Sequence, residues 1–304
     1  MTLVGTLAHL VAAFLLPPLL LGVIQRTKAV VAGRRGAPLL QPIYDLVKLF
    51  RKGVVLSRTT TWVFVAGPAV AVATAALAAL LVPFGESSAP LAFPGDLVLY
   101  AYLFGLGRFF TIAAALDTGS AFEGMGGARE ATFSALAEPA LFLALLVLVS
   151  LRGEISLSGL VGGDTRVLWA TAAAPMTLAC VGLFIVLLAE NSRIPFDDPT
   201  THLELTMIHE VMILDHGGPL LGLALLGAAQ KLFLQGALFA RIVVPLPQGP
   251  PALRWATFLL AMFALGVGIG IVESVMARLR LRQIPMLLIA ASLLSAFGIV
   301  LVVR

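Results

Sequence analysis

Long, nearly unbroken apolar runs separated by short charged segments set the pattern of this chain. A membrane-spanning helix needs about 20 mostly apolar residues, because backbone groups surrounded by lipid must pair within a helix or a closed barrel. The runs here are long and lack period-two alternation, which predicts helices rather than barrel strands. By that length rule about eight spans are expected. They are Leu3 to Ile24, Trp62 to Val82, Leu97 to Leu116, Thr132 to Leu151, Leu168 to Ala189, Leu220 to Val244, Trp255 to Val275 and Ile284 to Val303. The predicted fold is an all-α integral membrane protein, with residues 1–304 forming one polytopic domain and no room for a soluble catalytic domain. No basic segment precedes the first run, and Gln25-Arg26-Thr27-Lys28 follows it, so it is expected to stay as a span rather than be cleaved as a signal peptide.

Composition agrees with this pattern. The chain is 60% hydrophobic and 12% charged, against about 45–50% and about 25% in soluble domains. Basic residues in the short loops orient the spans. Arg26, Lys28, Arg34, Arg35, Lys48, Arg51, Lys52, Arg58, Arg129, Arg193, Arg278, Arg280 and Arg282 fall on one side, and Arg152, Arg166, Arg241, Arg254 and Arg304 on the other. Both termini are therefore expected outside, with the loops 26–61, 117–131 and 190–219 on the cytoplasmic side of an inner membrane. The net charge of +4 is accounted for by this bias and by anionic lipid, with no nucleic-acid partner required. The single cysteine, Cys180, lies within an apolar run, so this chain alone can build neither a disulfide nor an all-cysteine iron–sulfur cluster. Any redox centre is expected in a partner.

The candidate chemistry gathers in the inner loops. From Pro38 onward Leu39, Ile43, Leu46 and Phe50 recur at helical spacing, with Asp45, Lys48, Arg51 and Lys52 on the more polar side. This predicts an amphipathic helix on the membrane surface or against a partner subunit, with Gly33 and Gly36 making an elbow around Arg34 and Arg35. The stretch "LDTGSAFEGMGGAREATFSALAEPA" is Gly-rich but lacks the Gly-Lys-Ser/Thr ending of a phosphate loop. Within it stand Asp117, Glu123, Glu130 and Glu138, the last roughly 9 Å into its span at ~1.5 Å per residue. A carboxylate at such depth is expensive unless paired or functional, and Pro139 beside it weakens the hydrogen-bond ladder where water can enter.

The third loop, "AENSRIPFDDPTTHLELTMIHEVMILDHGGP", is the most charged. Pro195 and Pro199 end the preceding span, and Asp198-Pro199 or Thr201-His202-Leu203-Glu204 reads as the start of a helix running to Asp215. On it Glu204 and Asp215 would share one face, with His202, His209 and His216 on a nearly opposite one. Those histidines would be ~10 Å apart along the axis, too far to chelate one metal ion, so no metal site is expected. Arg108 and Lys231 lie inside spans, where charged residues pair with carboxylates or line water. Glu273 and Arg241 lie near span ends, where snorkelling is expected to suffice.

The stretches "RRGAPLLQPIYDLVKLFRK", "LDTGSAFEGMGGAREATFSALAEP" and the third loop resemble the complex I subunit 1 family, and within it the membrane subunit of group 4 NiFe hydrogenases of the formate hydrogenlyase and hydrogenase-4 type. The family motif at the third loop matches Ala189, Glu190, Arg193, Pro195, Phe196, Asp197, Pro199, Glu204 and Leu205, while Thr201 and His202 replace part of its acid-rich run. Asp215 and Glu138 fall where the family places acids. The resemblance implies a membrane anchor that holds no cofactor itself. It would dock the iron–sulfur small subunit and the catalytic large subunit, which carry the clusters and the NiFe centre, beside antiporter-like membrane subunits in the bilayer. On this reading Glu138, Glu190, Glu204, Asp215, Lys231, Asp117 and Glu130 form a proton path, and Arg34, Arg35, Asp45, Lys48, Arg193, Asp197, Asp198, His202 and His209 meet partners. The alternative is a quinone-site membrane subunit of a complex I-like NADH dehydrogenase.

Overall fold

The computed structural model describes residues 3–86, 88–162, 165–197 and 207–303. Among them the elements are helices: α1 (Leu3–Val31), α2 (Gln41–Phe50), α3 (Trp62–Ala79), α4 (Asp96–Asp117), α5 (Ala121–Arg152), α6 (Leu157–Val161), α7 (Thr165–Thr171), α8 (Ala173–Glu190), α9 (His209–Met212), α10 (Gly218–Val243), α11 (Pro251–Val275) and α12 (Ile284–Val303), with a 3-10 turn before the last. Eight are long and apolar enough to cross a membrane, in the order the hydrophobic pattern predicts. The protein is a multi-pass membrane protein.

α10 is the axis of the bundle, packed by α1, α2, α3, α8 and α11, while α3 pairs with α4 and α5 joins α8 and α12. The apolar stretch of α10 is 67% buried, against 22% in the last span. Its sequence explains the difference, because Gln230, Lys231, Gln235 and Arg241 would be costly against lipid. Snorkelling does not describe the two charges near span ends. Arg241 is buried and donates to the Val161 carbonyl, and the fully buried Glu273 carboxylate bridges Lys28 at 2.9 Å and Arg193 at 3.3 Å.

Three segments depart from the expected boundaries. α5 begins at Ala121, so the Gly-rich stretch read as a loop is helical. Glycine is a poor helix former, but at Gly126 an added Cβ would lie 2.9 Å from the Ile208 carbonyl oxygen and 3.1 Å from Met212 Cγ, so close packing against α9 decides. The fifth span is divided at Ala172 into α7 and α8. Pro175 has no N–H for the Thr171 carbonyl, and its ring crowds that carbonyl. Finally, the long helix expected from near residue 200 to Asp215 is represented, among the described residues, by the short α9 and a turn. Asp197 supplies the cap, accepting from Ile208 N at 2.8 Å and His209 N at 3.4 Å, while the Glu123 carboxylate takes the Asp215 N–H at 3.0 Å. Carboxylates that capture backbone donors end helical pairing locally.

α1 and α5, with 29 and 32 residues, are about 44 and 48 Å long, more than the ~30 Å hydrocarbon core. The surplus of both lies on the side that carries α2 and α9. There the 191–197 segment is fastened by Arg193–Glu273, by Arg278–Asp197 at 2.8 Å and by Leu279 N donating to Pro195 O at 2.9 Å.

Gly67 marks the α3–α4 contact: a Cβ there would stand 2.6 Å from Ala114 Cβ and 3.0 Å from the Phe110 carbonyl oxygen. Gly67→Val is expected to lower the thermal unfolding midpoint in detergent, with an overpacking penalty of about 1–3 kcal/mol. Gly268→Ala, where an added Cβ meets nothing within 4 Å, should leave that midpoint unchanged or raise it.

Candidate functional site

Four helices deliver charged side chains to one point inside the bundle. α4 carries Arg108, whose Nη1 donates to Glu138 Oε1 at 2.6 Å and whose Nη2 donates to Glu190 Oε2 at 2.6 Å, with Glu130 3.6 Å from its Nε. Glu130 and Glu138 stand about two turns apart on α5. Glu190 is the last residue of α8, a position where the negative helix end disfavours a carboxylate. Lys231 of α10 reverses that, with Nζ 2.8 Å from Glu190 Oε2 and donating at 2.7 Å to the Glu190 backbone carbonyl. It thereby satisfies an orphan carbonyl of the helix terminus. With every group ionised, three carboxylates and two cations leave one negative charge, so the cluster can take up one proton and become neutral.

The Glu190 and Arg108 side chains are 4% and 9% exposed, whereas Glu138 is 45% exposed. Glu190 is thus clamped by two cations, while Glu138 has one short bond and an open side and Glu130 is held only at 3.6 Å.

Above this cluster lies a chamber of about 260 Å³, walled by α1, α2, α3, α4, α9, α10 and the 191–197 segment. Arg108, Glu130, Glu190 and Lys231 form its charged floor; Pro68, Ala71, Phe104 and Leu225 are among its apolar walls; and Asp45, Asp197, His209, Glu210 and His216 line it nearer the outer layer. His216 stacks on Phe64 at 3.9 Å and its ring Nε2 donates to the Phe64 carbonyl at 3.1 Å. Burial holds its pKa below the ordinary histidine value, against upward pushes from that bond and from Asp215. Burial also lowers His209, with Glu210 and Asp197 opposing the shift and Lys231 and Arg193 adding to it.

The structure therefore brings together Glu130, Glu138, Glu190 and Lys231 of the expected proton path, and adds Arg108 as their hub. Asp117 is elsewhere: it accepts from Thr61 N at 2.7 Å, Thr61 Oγ1 at 2.9 Å and Phe64 N at 3.2 Å, fastening the start of α3. Asp215 is exposed in the turn after α9. Glu204, Asp198 and His202 lie outside the described residues. Among the expected docking residues, Arg34, Arg35 and Lys48 are exposed, as is Asp45, which accepts from Gln41 at 2.8 Å and faces the chamber mouth. Arg193, Asp197 and His209 are turned inward, the first two engaged in ion pairs within the chain. An arginine inside an apolar run signals buried pairing, but its three acids come from positions 22, 30 and 82 residues further along the chain, which no local pattern reveals.

The sequence family described as NADH dehydrogenase matches residues 4–304. The chain is 30% identical over 292 residues to formate hydrogenlyase subunit 4 of Escherichia coli, covering 94% of both chains. It is 32% identical over 241 residues to hydrogenase-4 component C of the same organism, covering 79% of this chain and 74% of that one. An NADH-quinone oxidoreductase subunit of Rubrobacter xylanophilus is 33% identical over 168 residues, 55% of this chain and 50% of its own. Among solved structures, a chain of the membrane-bound sulfane sulfur reductase, an archaeal respiratory membrane complex, shares the fold with a TM-score of 0.85 at 24% identity, covering 98% of each chain.

Both chamber histidines prefer the neutral form in the folded protein, so their stabilising contribution is complete above the unfolded histidine pKa of about 6.5 and declines as the pH falls below it. The thermal midpoint in detergent is expected to drop between about pH 7 and pH 5. In His216→Asn this acid-side slope should be shallower than in the parent.

Proposed function

This chain belongs to the NADH dehydrogenase family, as a membrane subunit of the complex I-like and group 4 hydrogenase kind, and we propose that it anchors a redox arm and couples electron transfer there to proton movement. The single observation that carries this reading is the Arg108–Glu130–Glu138–Glu190–Lys231 cluster beneath a chamber. It is a set of exchangeable carboxylates, balanced to within one charge, inside a bundle where unpaired charge is costly.

On this reading the chain itself supplies no redox cofactor. The iron–sulfur clusters and a NiFe centre belong to the small and large subunits that dock on the face bearing Arg34, Arg35 and Lys48, and antiporter-like subunits adjoin it in the bilayer. The matches to formate hydrogenlyase subunit 4 and hydrogenase-4 component C support the hydrogenase setting. The excess of basic loops on this face supports an inner membrane, with these loops cytoplasmic and both termini outside. Reduction of the arm adds negative charge above the chamber, which favours protonation of the carboxylates below it, and reoxidation favours release. Arg108 stays charged throughout. Glu130 and Glu138, the less tightly held acids, exchange the proton, while Glu190 remains clamped.

A second reading is a quinone-site subunit. The apolar walls of the chamber favour it, as does the similarity to the Rubrobacter NADH-quinone oxidoreductase chain.

In inverted membrane vesicles holding the intact complex, Glu138→Gln is expected to retain electron transfer while proton translocation falls by about two orders of magnitude, the lower end of the range for a lost acid–base group. Undiminished translocation in that variant would refute the relay. Glu190→Gln should instead weaken assembly, because Lys231 loses its carboxylate partner while Arg108 keeps Glu138, and breaking a buried pair costs about 3–5 kcal/mol. Hydrogen evolution by the purified complex supports the hydrogenase setting, and quinone reduction without it supports the second reading.

A further inference from the structure

Below the charged floor lies a second, much smaller cavity of about 20 Å³, lined by Tyr100, Leu141, Leu183, Val186, Leu187, Gln235, Leu238 and Phe239. Its position follows from the helices. Tyr100, Leu187 and Gln235 each stand four residues from a chamber-lining neighbour, Phe104, Asn191 and Lys231 respectively. On three separate helices the step is about one turn in the same direction, so the pocket sits roughly 5–6 Å beneath the chamber. The remaining lining is aliphatic or aromatic.

Tyr100 and Gln235 are the two residues of this lining that carry polar side-chain groups. The Tyr100 side chain is completely buried, and its hydroxyl has no hydrogen-bond partner among the described residues. A hydroxyl in an apolar interior is costly unless it is bonded. Gln235 accepts at its Oε1 from Asn191 Nδ2 at 2.7 Å, which fixes its amide orientation and leaves its N–H groups to donate. A buried water needs about 10–15 Å³ and roughly two to four polar partners. The cavity meets the first requirement for one molecule only, and Tyr100 with Gln235 meets the second, since a phenol can donate or accept.

We propose that this pocket is a binding site for a single water molecule held between the Tyr100 hydroxyl and the Gln235 side-chain amide, and that Gln235 and its water position Asn191 and, through it, the Glu190 carboxylate. Asn191 follows Glu190 at the end of α8, where its Nδ2 also donates to the Leu187 carbonyl at 2.7 Å. Its side chain thus joins the helix terminus to α10. Side-chain amides do not exchange protons as acids or bases near neutral pH, so the string Tyr100–water–Gln235–Asn191 orients the cluster and does not conduct through it. Leu183, Leu238 and Phe239 beneath it separate the cluster from the opposite side of the bundle. The functional half of this inference rests on the proton-coupling reading; the water site does not.

The test is single-particle cryo-electron microscopy of the intact complex at a resolution that shows ordered waters, combined with the pH profile of proton translocation in vesicles. The parent should show one isolated density within hydrogen-bond reach of Tyr100 Oη and Gln235 Nε2. Tyr100→Phe, which removes only the hydroxyl, and Gln235→Leu should both lose it. In Gln235→Leu the Asn191 side chain should turn away. Translocation should then fall by up to about a hundredfold, the scale of an ~1 Å misplacement of reacting groups, with a displaced pH profile because Glu190 shifts against Arg108 of α4, Glu130 and Glu138 of α5 and Lys231 of α10. An empty parent pocket, or a density unaffected by both substitutions, overturns the site. An unmoved Asn191 with an unchanged pH profile overturns the positioning role. If Glu138→Gln translocates at the parent rate while the density and the Asn191 response are as expected, proton coupling fails and the water site stands.

Discussion

Arg108 imposes the constraint on which the rest of the bundle depends. A guanidinium cannot shed its proton to escape an apolar interior, so helices distant in sequence must bring carboxylates to it. Its bonds to Glu138 and Glu190, with Glu130 beside them, fix the depth and rotation of α5 and α8 relative to α4. Glu190 then needs a second cation against the adverse end of its own helix, which draws Lys231 and the whole of α10 into register. Removing either cation leaves carboxylates uncompensated, and removing Glu190 takes from Lys231 its one carboxylate partner among the described residues. The ion pairs therefore act less as a source of stability than as a statement of which arrangement is tolerable.

The densely charged third loop has a corresponding role. Its described carboxylates and arginines are mostly engaged within the chain: Asp197 caps α9 and pairs with Arg278, and Arg193 meets the Glu273 that also holds Lys28. These contacts close one side of the chamber over the charged floor. On the same side, the layer of α2 and the elbow before it leaves Tyr44, Val47 and Phe50 exposed among basic residues. On the proposed reading, a chamber with acids below it and a partly apolar, basic surface above it fits a subunit whose redox chemistry lies in its partners, whether the electrons end on protons or on a quinone.

The sequence by itself determined the membrane class, the order of the eight spans, the surface helix α2 and the presence of ionisable residues at Arg108, Glu138 and Lys231. The physical reason is that burial in lipid is written locally: twenty apolar residues, a helical period and a stranded charge are each visible within a short window. Only the tertiary structure decided that Arg108 gathers the acids, that Asp117 fastens α3 instead of joining them, that the Gly-rich stretch becomes the first turns of α5, and that Arg193, Asp197 and His209 face inward. Each outcome depends on which side chains from distant parts of the chain meet in space. A charge, a glycine or an acid has the same appearance in sequence whether its partner is water, another subunit or a residue dozens of positions away.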